Sequence, residues 1–199
     1  MSFCTDRWNI YDRGLHMQFD EAKIYSTLGE RSKADDGQGF IESNQIVYDF
    51  DEITKEIADI YRNNRPVASC DALYVKDKKH IYLFEFKNAR RSRIGKNFFA
   101  QKAYDSAMTL LFAFYQNISL EELRDCLYLI VVYNDENVVE KEQESAYFEA
   151  FKKSVGCLAG SRNRILFHLD TYKGTLYKEV ITVDKDYFME QIYPQIFEI

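Results

Sequence analysis

Proline and glycine are scarce: two and eight in 199 residues, so the chain has few built-in breakpoints. The four cysteines, Cys4, Cys70, Cys126 and Cys157, lie far apart and form no CxxC pair, which argues against a cysteine zinc site or a dithiol redox motif. Reduced thiols in a cytoplasmic protein are the simplest expectation. The three histidines, His16, His80 and His168, are equally scattered and offer no histidine metal cluster. No basic stretch followed by an apolar run opens the sequence, so no export signal is expected. The longest apolar run, Leu127 to Tyr133, is far shorter than the roughly 20 residues that cross a bilayer. Internal repeats and low-complexity tracts are absent. The chain also lacks a basic excess: its net charge of −6 argues against a protein that coats nucleic acid non-specifically.

What is present suits one domain with a sizeable core, since 46% of the residues are apolar, including 15 Tyr and 15 Phe. Residues 1–40 read as an N-terminal extension, with a short helix over Glu21 to Leu28 and a polar loop over Lys33 to Gly39. Gln45 to Tyr61 has helical spacing of Ile46, Phe50, Ile53, Ile57 and Ile60, beside an acidic stripe of Asp49, Glu52, Glu56 and Asp59. Strands are expected over Val67–Val75 and Ile81–Lys87, joined by a polar turn at Asp77 to His80. A long helix over Asn97–Gln116, an interior strand over Leu127–Tyr133 and a helix over Glu140–Val155 follow. Ile165–Leu169 and Leu176–Val183 read as a strand pair around a turn at Thr171 to Gly174, and Asp186–Ile192 as a last short helix. The order predicts an α/β protein with a mixed central sheet between helices, in which 45–133 form the core and 134–199 complete the same domain.

The strand Ile81–Lys87 is apolar on both faces, except that Glu85 and Lys87 share one of them near its end. Burying charge is costly unless it is paired or bound to a metal. Asp71 stands at a similar height on the preceding strand. Residues directly opposed in a hairpin have numbers of constant sum and share a face. A loop of three or five residues makes that sum 156 or 158 and places Asp71 opposite Glu85 or Lys87. A two-residue loop makes it 157 and places Asp71 on the other face, unless a bulge intervenes. An Asp and a Glu brought together in this way form a hard, oxygen-rich site of the kind that suits Mg²⁺ or Mn²⁺. An adjacent lysine there can hold a water or neutralise charge on a phosphate.

Ser69-Cys70-Asp71, then Phe84-Glu85-Phe86-Lys87, then Gln101 in the following helix, resembles the PD-(D/E)xK nuclease superfamily, which includes restriction endonucleases and Holliday-junction resolvases. Cys70 stands where the motif has its proline. The resemblance covers roughly 45–133 and implies a restriction-endonuclease-like αβββαβ core with N- and C-terminal additions. It implies that Asp71 and Glu85 ligate Mg²⁺ or Mn²⁺, that Lys87 positions or activates the water, and that Gln101 orients the site or contacts DNA. Some members add an acid from the first helix, a role that falls here to Glu56 or Glu52, with Glu42 as an outsider. Many members work as dimers, so the resemblance admits a homodimer.

From Phe86 to Tyr104 there are six basic residues and no acidic one. Of these, Arg90, Arg91, Arg93, Lys96 and Lys102 read as a phosphate-contacting strip beside the site. The expected function is thus Mg²⁺-dependent hydrolysis of phosphodiester bonds, of DNA before RNA, in repair, restriction or mobile-element defence. The alternative is a catalytically silent protein of the same fold that binds nucleic acid or a protein partner.

Overall fold

The computed structural model describes residues 21–33, 41–60, 65–114, 118–134 and 165–197. The helix expected over Glu140–Val155 and most of the loop expected over Lys33–Gly39 lie outside them.

Six strands form one mixed sheet in chain order. They are β1 (Tyr25–Thr27), β2 (Ile46–Asp49), β3 (Ala72–Asp77), β4 (His80–Lys87), β5 (Leu127–Tyr133) and β6 (Glu179–Asp184). The first four run antiparallel, while β5 is parallel to β4 and β6 is parallel to β5. Parallel neighbours need a crossover. Between β4 and β5 this is made by α4 (Ala100–Thr109), its π-helical continuation Leu110–Phe114, and α5 (Leu120–Arg124).

Each sheet face has its own apolar layer. On one, Leu73, Ile81, Leu83, Leu129 and Val131 pack beneath Phe50 and Ile53 of α3 (Phe50–Ile60) and beneath Ala103, Ala107 and Leu110. On the other, Ala72, Phe84, Phe86, Ile130 and Val132 meet Leu28 of a short helix, α2 (Leu28–Arg31), and Phe188 and Ile196 of the C-terminal helix. That last helix, α6, runs through 185–197 as Lys185–Tyr187, a π-helical stretch Phe188–Ile192, and Tyr193–Phe197. With helices on both faces, β4 and β5 are covered above and below, which is why both read as nearly continuous apolar runs.

Several sequence expectations need correction. Gln45 to Tyr61 is not one helix: Ile46–Asp49 is strand β2, and the helix begins at Phe50. Ile46, counted in the helical stripe, is 51% exposed, whereas Asp49 caps α3 by accepting a 3.1 Å hydrogen bond from Glu52 N. The helix expected over Glu21 to Leu28 is a single turn, α1 (Glu21–Ile24), followed by β1, and α2 starts only at Leu28. The first strand of the hairpin starts at Ala72, not Val67. Ile165–Leu169 is not a strand. Phe167 and His168 have φ values of 60° and 56°, which extended backbone excludes, and a 3₁₀ turn, Leu169–Tyr172, follows. The expected terminal strand pair is therefore the single strand β6.

The hairpin register decides the site. Asp77 pairs with His80 across the two-residue turn Lys78-Lys79, the parity that puts Asp71 on the face away from Glu85. The register then shifts between Val75 and Asp77, leaving Lys76 as a bulge, and Ala72 pairs with Phe84. The bulge carries Asp71 to the level of Glu85 on the same face.

Candidate active site

Asp71 sits where three elements meet. Its carbonyl accepts from Phe50 N at the start of α3 (3.3 Å), and its own N–H donates to Phe84 O of β4 (2.9 Å). Its Oδ2 accepts from Phe86 N at 2.6 Å, which fixes the carboxylate across the hairpin and leaves Oδ1 turned toward α4. The preceding residue is also held, because the Cys70 N–H donates to the fully buried Ser106 Oγ of α4 at 2.9 Å.

Glu85 lies on the sheet face beneath α4, and its side chain is only 3% exposed. Lys102, in the first turn of α4, reaches both acids. Its Nζ donates to Glu85 Oε1 and Oε2 at 2.8 and 2.9 Å and to Asp71 Oδ1 at 3.2 Å. All three ammonium protons are thereby used, and three carboxylate oxygens converge on one point. The Lys102 side chain is 30% exposed and that of Asp71 17%, so the cluster is only partly buried.

A third acid stands close by. Asp51, in the first turn of α3, accepts a hydrogen bond from Ser69 Oγ, and Ser69 Oγ in turn lies 3.2 Å from Thr54 Oγ1. Its negative charge acts on both Asp71 and Glu85. Burial, joined by repulsion from Asp71, pushes the Glu85 carboxyl well above the usual carboxylate range, and Lys102 only partly offsets this. Burial likewise raises the Asp71 carboxyl against the pull of Lys102. Burial opposes the charge on Lys102, but Glu85 and Asp71 outweigh it and hold the ammonium above its ordinary value. Two buried carboxylates and a nearby third thus face one ammonium, an excess of negative charge that a divalent cation or a proton can balance.

The donor set fits a hard cation. Among the described residues no group of three or more His, Cys, Asp or Glu side chains is arranged to hold a metal ion. Two carboxylates nevertheless share a single focus here. Mg²⁺ commonly binds through one or two carboxylates and fills its remaining positions with waters and substrate phosphate.

The other expected site residues are distributed around this centre. Lys87 follows Glu85 at the end of β4, half-buried, with its Nζ over the Phe98 ring, 4.6 Å from the centroid. The ammonium bonded to the carboxylates belongs to Lys102, which the sequence assigned to the nucleic-acid strip. Gln101 is exposed, its Nε2 donating to Asp105 Oδ2 at 3.3 Å. Of the acids considered on α3, Glu52 pairs with Lys55 at 2.5 Å and Glu56 is half-buried, while the α3 acid whose charge reaches the centre is Asp51. Glu42 lines a separate cleft with Thr27, Gly29 and Lys33.

The basic strip begins where β4 ends. Asn134, just past β5, donates from Nδ2 to Asn88 Oδ1 at 2.7 Å and from its N–H to Ala89 O at 3.2 Å, which ties down the exit from β4. A 3₁₀ turn, Arg91–Arg93, follows, and Ile94 and Phe99 then enter the core before α4 begins. Arg91, Arg93 and Lys96 are exposed, and Arg90 is half-buried.

Asp51 and Lys102 are the residues that sequence reasoning missed at the centre. Lys102 follows Gln101 directly and was legible as a helix residue beside the motif. Asp51 falls outside the acidic stripe of Asp49, Glu52, Glu56 and Asp59, and only its place in the first turn of α3 brings it near Asp71. Comparison with protein-family models, with curated proteins and with solved structures found no match.

Proposed function

We propose that this chain is a divalent-metal-dependent nuclease built on the PD-(D/E)xK plan, with Asp71 and Glu85 as the metal ligands and DNA as the preferred substrate. The observation that carries this reading is the convergence of one Asp71 oxygen and both Glu85 oxygens on a single, part-buried point. The antiparallel run β2–β3–β4, followed by α4 and the parallel β5, supports it as well. Placement of α3 between β2 and β3 departs from the helix-first αβββαβ order.

Asp71 and Glu85 would hold the divalent cation, which would supply the Lewis acidity that polarises a phosphodiester and acidifies a water. The remaining work falls to side chains of the chain itself. The Phe86 N–H anchors Asp71 Oδ2, so its carboxylate keeps one orientation and presents Oδ1. Lys102, with Lys87 at the same strand end, supplies positive charge where negative charge grows on the phosphate oxygens. Arg90, Arg91, Arg93 and Lys96 bind backbone phosphates flanking the scissile one and fix the strand across the end of the sheet.

One observation favours the silent alternative: Lys102 already satisfies both carboxylates, as a structural ion cluster would. The readings separate on a panel of single-stranded, duplex and branched DNA and RNA, incubated with Mg²⁺ or Mn²⁺ and with EDTA. The nuclease reading expects metal-dependent cutting that Asp71→Ala abolishes. Binding without cutting would move the assignment to a silent nucleic-acid-binding protein, and neither binding nor cutting to a protein partner.

A further inference from the structure

Resting on the metal-site reading above, we infer that Lys102 is a resident counter-cation that occupies the metal position in the metal-free protein and exchanges with a divalent cation. The distances carry the argument. Lys102 Nζ lies 2.8, 2.9 and 3.2 Å from the same three oxygens through which Asp71 and Glu85 would hold a cation, so ammonium and metal cannot occupy the point together. The ammonium brings one positive charge to two carboxylates of which Glu85 is nearly fully buried, with Asp51 as a further negative charge nearby. A divalent ion brings two, and at the same point it is the stronger partner.

Lys102 is built to leave. It stands on a helix rather than on the strands that carry the two acids, its ammonium is tethered by a flexible four-carbon stem, and its side chain is 30% exposed. Lys87 has no such place in the exchange, since its ammonium sits over the Phe98 ring. The device holds two close buried carboxylates together before metal arrives. It also sets a threshold, because metal must displace an internal cation and weak monovalent competitors fail to. Once released, Lys102 remains beside the site as a mobile positive charge for an approaching phosphate.

Two measurements on the full chain test the exchange. The first is Mn²⁺ titration calorimetry of the wild type, Lys102→Met and Lys79→Met. Removing the competing ammonium should tighten Mn²⁺ binding by about tenfold or more, whereas Lys79→Met, in the exposed turn at the far end of the hairpin, should bind as the wild type does. The second uses only wild-type protein, so it decides the matter even if Lys102→Met fails to fold. Lysines are acylated with and without Mn²⁺, and the extent at each position is read by mass spectrometry. Lys102 should become several-fold more reactive when Mn²⁺ is added, while Lys87 stays constant. Wild-type protein that binds Mn²⁺ with Lys102 reactivity unchanged or lowered, or Lys102→Met that binds no more tightly, overturns the exchange and leaves the nuclease reading standing. Wild-type protein that binds no Mn²⁺ overturns both.

Discussion

At the residue scale, the centre turns on how two carboxylates tolerate burial. Both Asp71 and Glu85 titrate above their ordinary values, because burial penalises the charged form first and Lys102 compensates incompletely. Groups raised in this way favour the folded state fully at pH values below their unfolded pKa of about 4, and that contribution is lost as pH rises through the raised folded values. A divalent cation competes with those protons. Its stabilising effect should therefore grow with pH, so that the Mn²⁺-induced rise in Tm is small near pH 5 and larger near pH 8. Thermal melts with and without Mn²⁺ across that range check this, and a pH-independent shift would contradict it. Ser106 offers a second test at this scale. It is fully buried, and its Oγ accepts the Cys70 N–H one residue before Asp71. Ser106→Ala should cost about 1–3 kcal/mol in denaturant unfolding, because it leaves that buried donor without a partner. A cost within about 0.5 kcal/mol, ordinary for a surface substitution, would show that the bond does not hold this strand end.

At the element scale, the hairpin shows what a sequence can and cannot disclose. The polar turn at Asp77 to His80 was readable from composition, and so was the dependence of the Asp71 face on loop parity. The two-residue turn that forms gives the wrong parity, and the bulge at Lys76 restores the right one. Neither the turn length nor the bulge is written in residue type, since Val75-Lys76-Asp77 extends a strand as readily as it bulges. Because the bulge already absorbs one residue, deleting Lys76 should leave Asp71 opposite Glu85. The deletion should retain Mn²⁺ affinity in calorimetry while losing about 1 kcal/mol or more of stability, since Lys76 Nζ donates to Ile196 O of α6 at 2.8 Å. Loss of metal binding in a folded deletion variant would refute the register argument. Strand β5 was readable at both ends, because an uninterrupted β-branched and aromatic run has few alternatives in a buried layer. Helix α5 was missed because five residues are too few for apolar periodicity, although its capping box of Ser119 and Glu122 is a local signal. The strand expected over Ile165–Leu169 failed for a reason outside composition. Phe167 packs against Phe99 and Tyr133, with ring centroids 5.0 and 5.9 Å apart, and the left-handed turn at Phe167 and His168 accompanies that placement. The order of strands and helices was thus largely legible, whereas tertiary packing decided where β2 ended and α3 began.

At the scale of the whole molecule, a chain of net charge −6 is proposed to grip a polyanion. Locality resolves this: the positive residues lie together where β4 leaves the sheet, and Arg91 and Arg93 are exposed there. Replacing both with Ala should weaken DNA binding and reduce the slope of log affinity against log salt by about 2, roughly one released counterion per lost phosphate contact. Stability should hardly change, and an unaltered slope would reduce the strip to a solvated surface. The most direct test of the central claim is cleavage of end-labelled duplex and branched DNA in Mn²⁺ by wild-type protein and by Glu85→Gln, side by side. Glu85→Gln keeps the shape of the side chain but removes a ligand charge at the centre of the site. The account predicts Mn²⁺-dependent cutting by the wild type and at least about a 100-fold loss in the variant, with DNA binding largely retained, because the ligand charge acts on the transition state more than on the bound substrate. Wild-type protein that leaves every strand intact, or Glu85→Gln that cuts as fast as the wild type, would contradict it.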